Sequence, residues 1–346
     1  MQEQKPSKNI NRLKIVGTIL TLGGIALFAY FVYSVGVSEL VDGVARFGIV
    51  GFAVILLIFL ARICVRAAAW SLSVYEPYSL RLRDTIPAVV IGEAASSVIP
   101  LGILISGTAK AVAVRHRVPL VVGLSSVATE NLFYSLTTSL FLIAGAVTFL
   151  RNSTLDESWV LTIDVLIAGI VLLLIFLFLL VVRQWHIFSE VCESLYRRGY
   201  FNSVLEHGRL QVRLFENLIF AFYRRYPKRF LPIIGLGTVY HLLGVVEVYY
   251  VLSRLSDAVP SLLTSFLLES VSRLITILFK LIPLTIGVDE AGAKFVGDTV
   301  ALAAGVGVTL AIIRKGRILF WTALGLILII KRGLSFKTLS SIKRNG

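Results

Sequence analysis

The stretch Leu281-Ile-Pro-Leu-Thr-Ile-Gly-Val-Asp-Glu290 lies in the hydrophobic second half of the chain, yet it contains a proline, a glycine and two adjacent carboxylates. Proline removes a backbone donor and glycine permits a turn, so a helix that enters this stretch is predicted to break there. A similar interruption, Gly92-Glu-Ala-Ala-Ser-Ser-Val-Ile-Pro-Leu-Gly102, occurs in the first half. The two stretches together predict two broken membrane helices that meet at a site.

The composition around these stretches is that of a membrane protein. Of 346 residues, 57% are hydrophobic and only 16% are charged, whereas about a quarter of the residues of a soluble domain are charged. The apolar residues form long runs, and aromatic residues such as Tyr30, Trp70, Trp185 and Trp321 lie near the ends of these runs, as in an interfacial belt. We therefore predict an all-α polytopic membrane protein with about six to eight transmembrane helices.

The net charge of +14 at pH 7 has its basic residues in short loops beside apolar runs. This pattern indicates cytoplasmic loops and attraction to anionic lipid headgroups rather than nucleic-acid binding. Two cysteines, Cys64 and Cys192, and four scattered histidines form no disulfide framework and no metal-binding spacing. The sequence therefore predicts no metal, no cofactor and no nucleic-acid partner.

Charge also predicts the topology. Residues 1–14 are basic, so we expect a cytoplasmic N-terminus, followed by a first span at 13–36 that is retained rather than cleaved as a signal peptide. Five further spans are predicted, and they place the C-terminus in the cytoplasm of a cell-membrane protein: 49–75, 119–150, 160–182, 231–252 and 316–331.

The two interrupted segments are predicted to be re-entrant. Basic residues flank residues 84–115 on both sides, and about 30 residues are too few for two spans of about 20 each. Residues 260–313 would then re-enter from the opposite side, with Pro283–Gly287 at the tip. An alternative interpretation counts every apolar run as a span and gives about eight helices with the same parity.

The chain is predicted to form a single membrane domain, residues 1–346, with inverted repeat halves at about 49–182 and 231–331. Residues 183–230 are basic, with recurring apolar residues, and predict cytoplasmic amphipathic helices on the inner leaflet. One feature resists this topology. Arg314, Lys315 and Arg317 would face outward, against the positive-inside rule.

A charge inside a bilayer costs a few kcal/mol even on lenient insertion scales, so each intramembrane charge is expected to have a partner or a function. The candidate substrate-binding residues are five carboxylates, four cations and three residues that set the backbone shape: Glu93, Glu130, Glu269, Asp289, Glu290; Arg62, Arg66, Lys110, Arg273; Pro100, Pro283 and Gly287. Lys280 is a further intramembrane cation. No catalytic residue is predicted.

Spacing suggests partners for some of these charges. Arg62 and Arg66 share a helix face with Trp70. The two arginines would either bind a lipid phosphate or extend their side chains to the membrane interface. Glu269 and Arg273 have i,i+4 spacing and would form either part of a site or a structural ion pair. Glu130 would accept a proton, face a cationic headgroup or neutralise an arginine from another helix.

Paired interruptions in two halves are typical of a transporter site near the membrane midplane, where helix N-termini suit an anionic phosphate. The alternatives are a kinked structural helix and a proline at a helix start. The chain contains no Walker A loop, no G-x-S-x-G and no H-E-x-x-H, so we expect transport rather than catalysis.

From about residue 10 to 331, the chain resembles the flippase-like integral membrane family named after the transmembrane region of lysylphosphatidylglycerol synthases. Pro283-Leu-Thr-Ile-Gly287-Val-Asp-Glu290 is similar to that family's Pro-x3-Gly-x2-Glu signature, and Glu269 and Arg273 are similar to its Glu-x3-Arg helix. Pro100 and Gly107-Thr-Ala-Lys110 resemble its Pro…Gly…Arg stretch, with lysine in place of arginine. Glu130 falls where the family has an acidic residue in the next helix.

The resemblance implies lipid translocation: a phospholipid or lipid-linked headgroup would move between leaflets through a polar midplane site. The implied partners are membrane lipids and an anionic or lipid-linked substrate, and uphill transport would use an ion gradient or a partner protein. Synthase members carry a soluble aminoacyl-transfer domain after the membrane region; this chain ends at Gly346, so we expect no lysyl-lipid synthesis. The alternatives are a membrane-embedded transferase acting on lipid-linked substrates and an accessory subunit of a cell-envelope enzyme, and a homo-oligomer is left open.

Overall fold

The structure is a computed structural model that describes most of the chain, namely residues 29–30, 33, 36–98, 102–152, 157–198, 202–255, 259–279, 285–299, 302–303 and 305–331. Within these ranges there are eleven α-helices, one 3-10 turn and no strand. The predicted all-α fold is confirmed. Most of the predicted first span, together with Pro100, Lys280 and Pro283, lies outside the described residues.

The helices are α1 (Val37–Leu72), α2 (Leu82–Val98), α3 (Gly102–Ala113), α4 (Leu120–Asn152), α5 (Glu157–Val182), α6 (Ile187–Arg197), α7 (Asn202–Arg225), α8 (Phe230–Leu255), α9 (Leu262–Leu278), α10 (Val288–Thr299) and α11 (Val306–Lys331). The 3-10 turn Pro227–Arg229 precedes α8.

Four of the described helices are long and apolar enough to cross a membrane, and they match four of the six predicted spans: Leu40–Leu72, Leu120–Asn152, Val160–Val182 and Pro227–Leu255. The most apolar part of α5 has none of its residues buried within the protein. Its Leu161, Leu172 and Phe178 are each about two-thirds exposed. A continuous apolar surface of this kind is stable in lipid rather than in water.

The predicted loop between the first two spans is helical. Residues 37–48 belong to α1, and Gly48 interrupts that helix with a φ of 68°. Glycine adopts this left-handed conformation without a Cβ clash. The second predicted span, which begins at residue 49, therefore starts directly after a real break in the helix.

Both interrupted segments consist of a pair of short helices. In the first half, α2 and α3 have 17 and 12 residues, and in the second half, α9 and α10 also have 17 and 12 residues. A 12-residue helix is only about 18 Å long, too short for a hydrocarbon layer of about 30 Å. The two segments thus contain helices of matching length, and the inverted repeat stays a prediction.

The start of the last helix differs from the prediction. We predicted a span at 316–331 preceded by outward-facing basic residues, but α11 begins at Val306 and has 26 residues. Arg314, Lys315 and Arg317 lie near its middle and are all buried. Their positive charge suggested a loop. They can be buried inside a helix because each has a carboxylate partner that offsets the cost of burying its charge.

The described chain forms two compact units. Unit 1 consists of Met1–Leu57, Ser96–Ile103 and Val245–Phe320. Unit 2 consists of Ile58–Ala95, Leu104–Gly244 and Trp321–Gly346. Each unit contains its own cluster of buried charged side chains.

Aromatic packing in unit 2 attaches α7 to the spanning helices. Phe133 of α4 stacks on Tyr223 of α7 at 5.3 Å between ring centroids. It also meets Phe222 and Phe230 edge-on. Burial raises the pKa of Tyr223 above its usual range, since the phenolate would lose its hydration there.

A buried glutamate fixes α6 against α7. The carboxylate of Glu216 accepts hydrogen bonds from the backbone N–H groups of Phe188 at 2.9 Å and Ser189 at 3.3 Å. It therefore satisfies donors that the first turn of α6 leaves unpaired. The predicted basic amphipathic helices of residues 183–230 are thus present as a helical hairpin, and their position on the inner leaflet stays a prediction.

Replacing Gly307 with alanine tests the close approach of α10 and α11. A Cβ at Gly307 would lie 2.4 Å from the carbonyl oxygen of Ala293, and backbone atoms cannot give way as a flexible side chain does. We expect Gly307→Ala to lower the free energy of unfolding by about 1–3 kcal/mol, measured by thermal unfolding in detergent. Gly169→Ala is the matched control, because a Cβ there meets nothing within 4 Å. Equal losses in both variants would refute the close approach.

Candidate functional site

Seven buried charged side chains of unit 1 and the partly exposed Arg273 form one connected set, here called the unit 1 network. Four carboxylates and four cations compose it, so their formal charges balance: Glu247, Glu269, Asp289 and Glu290 with Arg273, Arg314, Lys315 and Arg317. They come from α8, α9, α10 and α11. Burial of so many charges is stable only because each one lies beside an opposite charge.

Arg314 is at the centre of the network. Its guanidinium donates to Glu269 and, at 3.1 Å, to the hydroxyl of Ser272. Its Nε lies 3.6 Å from Glu247 Oε1. The planar guanidinium has donors in several fixed directions and so joins α8, α9 and α11 in one geometry.

Two further arginines complete this half of the network. Arg317 pairs with Glu247, and Arg273 donates to Glu269 at 2.8 Å. The predicted i,i+4 pair of Glu269 and Arg273 is therefore present. It is one branch of a network that spans four helices rather than an isolated intrahelical pair.

The broken segment leads directly into the network. Thr285 and Gly287 have positive φ values of 47° and 82°, which turn the chain into α10. The Gly287 carbonyl accepts from the N–H of Ala291 at 3.1 Å, and the Gly287 N–H donates to Glu290 Oε2 at 2.8 Å. Gly287 is thus the N-cap of α10, and the glutamate three residues later reaches back to it as in a capping box.

This geometry changes the expected role of the helix start. We expected its N–H groups to suit an anionic phosphate, but Glu290 already supplies the negative charge there. An external anion would have to replace that carboxylate or bind to the cations around it. The contact also assigns Glu290 as the capping carboxylate, whereas Asp289 binds Ser272.

Lys315 connects α10 to α11. Its Nζ lies 2.8 Å from Glu290 Oε1 and 3.9 Å from Asp289 Oδ2. The closer contact is ionic, because neither atom has a partner in hydrogen-bonding geometry. Asp289 Oδ1 accepts from Ser272 at 2.8 Å, so the hydroxyl links this pair to Arg314.

Unit 2 has a second, smaller set, here called the unit 2 cluster. Arg66 of α1 donates to Glu93 at 2.9 Å, to Glu130 at 3.2 Å and to Asn131 at 3.2 Å. Its guanidinium lies 4.4 Å from the ring centroid of Tyr134. Of the roles considered for Glu130, the structure shows the neutralisation of an arginine from another helix. Arg66 is paired internally rather than snorkelling.

The remaining predicted residues of unit 2 lie near this cluster. The Arg62 guanidinium lies 4.4 Å from the ring centroid of Tyr240, and Trp70 donates to Ser126 at 2.9 Å. Arg62, Arg66 and Trp70 thus all make side-chain contacts with neighbouring helices, which fits the face they were predicted to share. Lys110 is buried against Gly92, where an added Cβ would lie 2.7 Å from Lys110 Cγ.

Sequence reasoning missed four members of the unit 1 network: Glu247, Arg314, Lys315 and Arg317. Glu247 stands alone among apolar residues in the predicted span 231–252, which was a usable signal. The three basic residues lie between two apolar runs. Placing the last span at residues 316–331 left these basic residues at its outer end, against the positive-inside rule, and that conflict was a signal that they have partners inside the protein.

A small cavity lies beside each set in the described part of the chain. One is lined by Ser272, Asp289 and Arg314 in unit 1, and the other by Arg66 and Glu130 in unit 2. Each has room for about one water molecule. Any group larger than water that entered one of these two cavities would have to displace the side chains that line it. Among the described residues, no group of three or more His, Cys, Asp or Glu side chains is placed to hold a metal ion.

Apolar spanning helices with buried, balanced charges define a polytopic α-helical membrane protein. Residues 14–325 match the family described as the lysylphosphatidylglycerol synthase TM region, and the chain belongs to this family. The resemblance read from its motifs is confirmed. Neither a curated protein nor a solved structure matches the chain. Family membership indicates a function related to membrane lipids.

Proposed function

We propose that this protein moves a phospholipid or lipid-linked headgroup between the leaflets of the cell membrane, with the unit 1 network as its polar site. The observation that carries the proposal is the balanced set of buried charges at the broken segment between α9 and α10. A purely structural core gains little from such a set, because well-packed apolar side chains are often as stable as a buried ion pair.

The chemistry of the network suits an anionic headgroup. Phosphate oxygens accept the same charge-assisted hydrogen bonds from arginine and lysine as carboxylate oxygens do. A phosphate that enters the network would therefore replace a carboxylate beside Arg314 or Lys315. Every cation keeps an anionic partner during this exchange, which lowers the cost of taking the headgroup through the apolar layer.

The acyl or prenyl tails would remain in the bilayer. The residues that follow Arg273 at the C-terminal end of α9 include three exposed apolar side chains, Ile277, Leu278 and the capping residue Phe279. They place an apolar surface less than two turns from a network residue on the same helix. Transport rather than covalent chemistry also fits the network, because each of its carboxylates lies beside a cation. The substrate and the surrounding lipids would be the main partners, with both chain termini in the cytoplasm.

The test is lipid scrambling by purified protein in liposomes. Vesicles contain fluorescent phosphatidylglycerol, and a membrane-impermeant quencher reports how fast inner-leaflet lipid becomes accessible. We expect the label to equilibrate faster than in vesicles that carry an unrelated polytopic protein at the same density. The proposal would be refuted if phosphatidylglycerol and several other anionic or lipid-linked lipids all equilibrated no faster than in these control vesicles.

Replacing Lys315 with glutamine should slow this scrambling about ten- to a hundredfold, since one charge-assisted contact to phosphate is lost. Lys294→Gln is the matched control. Lys294 lies on α10, where it pairs with exposed Asp298 outside the network. Comparable melting temperatures would show that both variants are folded. Equal scrambling rates in the two variants would exclude Lys315 from the binding site.

A further inference from the structure

We propose that Glu290 carries a proton during lipid translocation, and that its protonation releases Lys315 to bind the headgroup phosphate. The inference rests on the proposed function and adds its driving force: one proton accompanies each anionic headgroup. Two observations carry the inference. The two carboxylate oxygens of Glu290 have different partners, and Glu290 faces a lysine whereas Glu247 and Glu269 face arginines.

The two oxygens of Glu290 have different partners. Oε2 accepts the Gly287 N–H at 2.8 Å and caps α10, whereas Oε1 lies 2.8 Å from Lys315 Nζ. A proton on Oε1 would remove the ionic contact and leave the cap in place. The helix start therefore keeps its structure while the charge of the residue changes.

Two of the other carboxylates of the network lie beside arginines. Glu247 lies beside Arg314 and Arg317, and Glu269 beside Arg273 and Arg314. Arginine does not lose its proton in proteins, so each of these glutamates faces two permanent positive charges.

Among the described residues, the cation that contacts Glu290 is a lysine, Lys315. Its neighbour Asp289 accepts the Ser272 hydroxyl and lies 3.9 Å from the same lysine. Asp289 therefore leaves Lys315 with a carboxylate nearby when Glu290 is neutral. Glu290 differs from Asp289 in its close contact with the lysine, 2.8 Å against 3.9 Å, so a proton on Glu290 Oε1 removes the main ion contact of Lys315 while the cap on Oε2 stays in place.

The proton and charge balance is simple. On one side of the membrane, a proton from water forms an O–H bond at Glu290 Oε1. Lys315 keeps its positive charge and pairs with the phosphate. On the other side the phosphate leaves, Lys315 returns to Glu290, and the O–H bond breaks as its proton passes to water. One proton and one anionic headgroup have moved in the same direction, so a headgroup of single negative charge moves without net charge.

A pH gradient across the liposome membrane tests this coupling. With one proton per headgroup, a gradient of about one pH unit should enrich fluorescent phosphatidylglycerol about tenfold in the leaflet that faces the higher pH. A protonophore, which collapses the pH gradient, should abolish the enrichment. An imposed membrane potential should leave it unchanged.

Glu290→Gln is the decisive variant, because glutamine keeps an oxygen acceptor for the Gly287 N–H but cannot change its charge. We expect it to scramble lipid with no enrichment under the gradient. Asp298→Asn, which removes an exposed carboxylate from the same helix, should enrich lipid as the wild type does. Enrichment by Glu290→Gln equal to that of the wild type would overturn the inference.

The wild type also separates the two proposals. Scrambling that ignores the pH gradient would overturn proton coupling and leave lipid translocation standing, whereas no scrambling at any pH would overturn both. A second measurement does not depend on the folding of a variant. Addition of short-chain phosphatidylglycerol to the wild type in weakly buffered detergent should take up about one proton per bound lipid, and lipid binding without proton uptake would refute the role of Glu290.

Discussion

Replacing Arg314 with alanine is expected to lower the free energy of unfolding by about 3–5 kcal/mol, the usual cost of removing one partner from a buried ion pair. The change leaves Glu247 and Glu269 in the interior with fewer positive charges beside them, and it removes the donor to Ser272. Neither glutamate is accessible to water, since both are completely buried. The loss would be measured by thermal and denaturant unfolding in detergent.

Arg254→Ala is the control for this variant. Arg254 lies in the last turn of α8 in the same unit, but its side chain is exposed. Its removal should change the free energy of unfolding by less than about 1 kcal/mol. If Arg314→Ala is no more destabilising than this control, the network does not hold the four helices together.

The double variant Arg314→Ala with Glu269→Ala sharpens the same prediction. The two side chains are in contact. The sum of the losses in unfolding free energy of the two single variants should therefore exceed the loss of the double variant by about 1–3 kcal/mol. Additive losses would mean that the pair contributes no coupling energy.

The second large effect is expected at Arg66. Arg66→Ala should lower the free energy of unfolding by about 2–4 kcal/mol. Glu93 and Glu130 would both lose the cation that neutralises them. Arg66→Lys should recover only part of this loss. A single ammonium cannot reproduce three donors directed at Glu93, Glu130 and Asn131.

Unfolding of the two Arg66 variants would be compared with that of Arg83→Ala, in which an exposed arginine near the start of α2 is removed. We expect Arg83→Ala to match the wild type. If Arg66→Lys also matches the wild type, the cluster requires only a point charge, and the directed guanidinium contacts contribute no stability.

Much of the fold was predictable because a bilayer imposes strong local rules. A span needs about 20 apolar residues, and four predicted spans are found as long apolar helices. Proline and glycine in the two interrupted segments predicted short helices there, and 17- and 12-residue pairs are present in both. The family resemblance came from the same short stretches, and the match over residues 14–325 confirms it.

The partners of the charges were less predictable. The i,i+4 pair of Glu269 and Arg273 could be read from the sequence because helical spacing brings those side chains together. Arg314 was misplaced in a loop because its two carboxylate partners, Glu247 and Glu269, lie on other helices. A rule based on the charge of a loop cannot detect such a partner.

Local sequence patterns are enough to identify an all-α membrane protein whose helices break near Gly102 and Gly287 and whose intramembrane charges require partners. These properties depend on the local balance of apolar, charged and helix-breaking residues. The pairing of these charges depends instead on how the helices pack. The contacting residues are 64 positions apart for Arg66 and Glu130, 45 for Arg314 and Glu269, and 70 for Arg317 and Glu247. Such pairs form when packed helices bring distant positions together, because an unpaired charge in the apolar interior costs far more than a paired one.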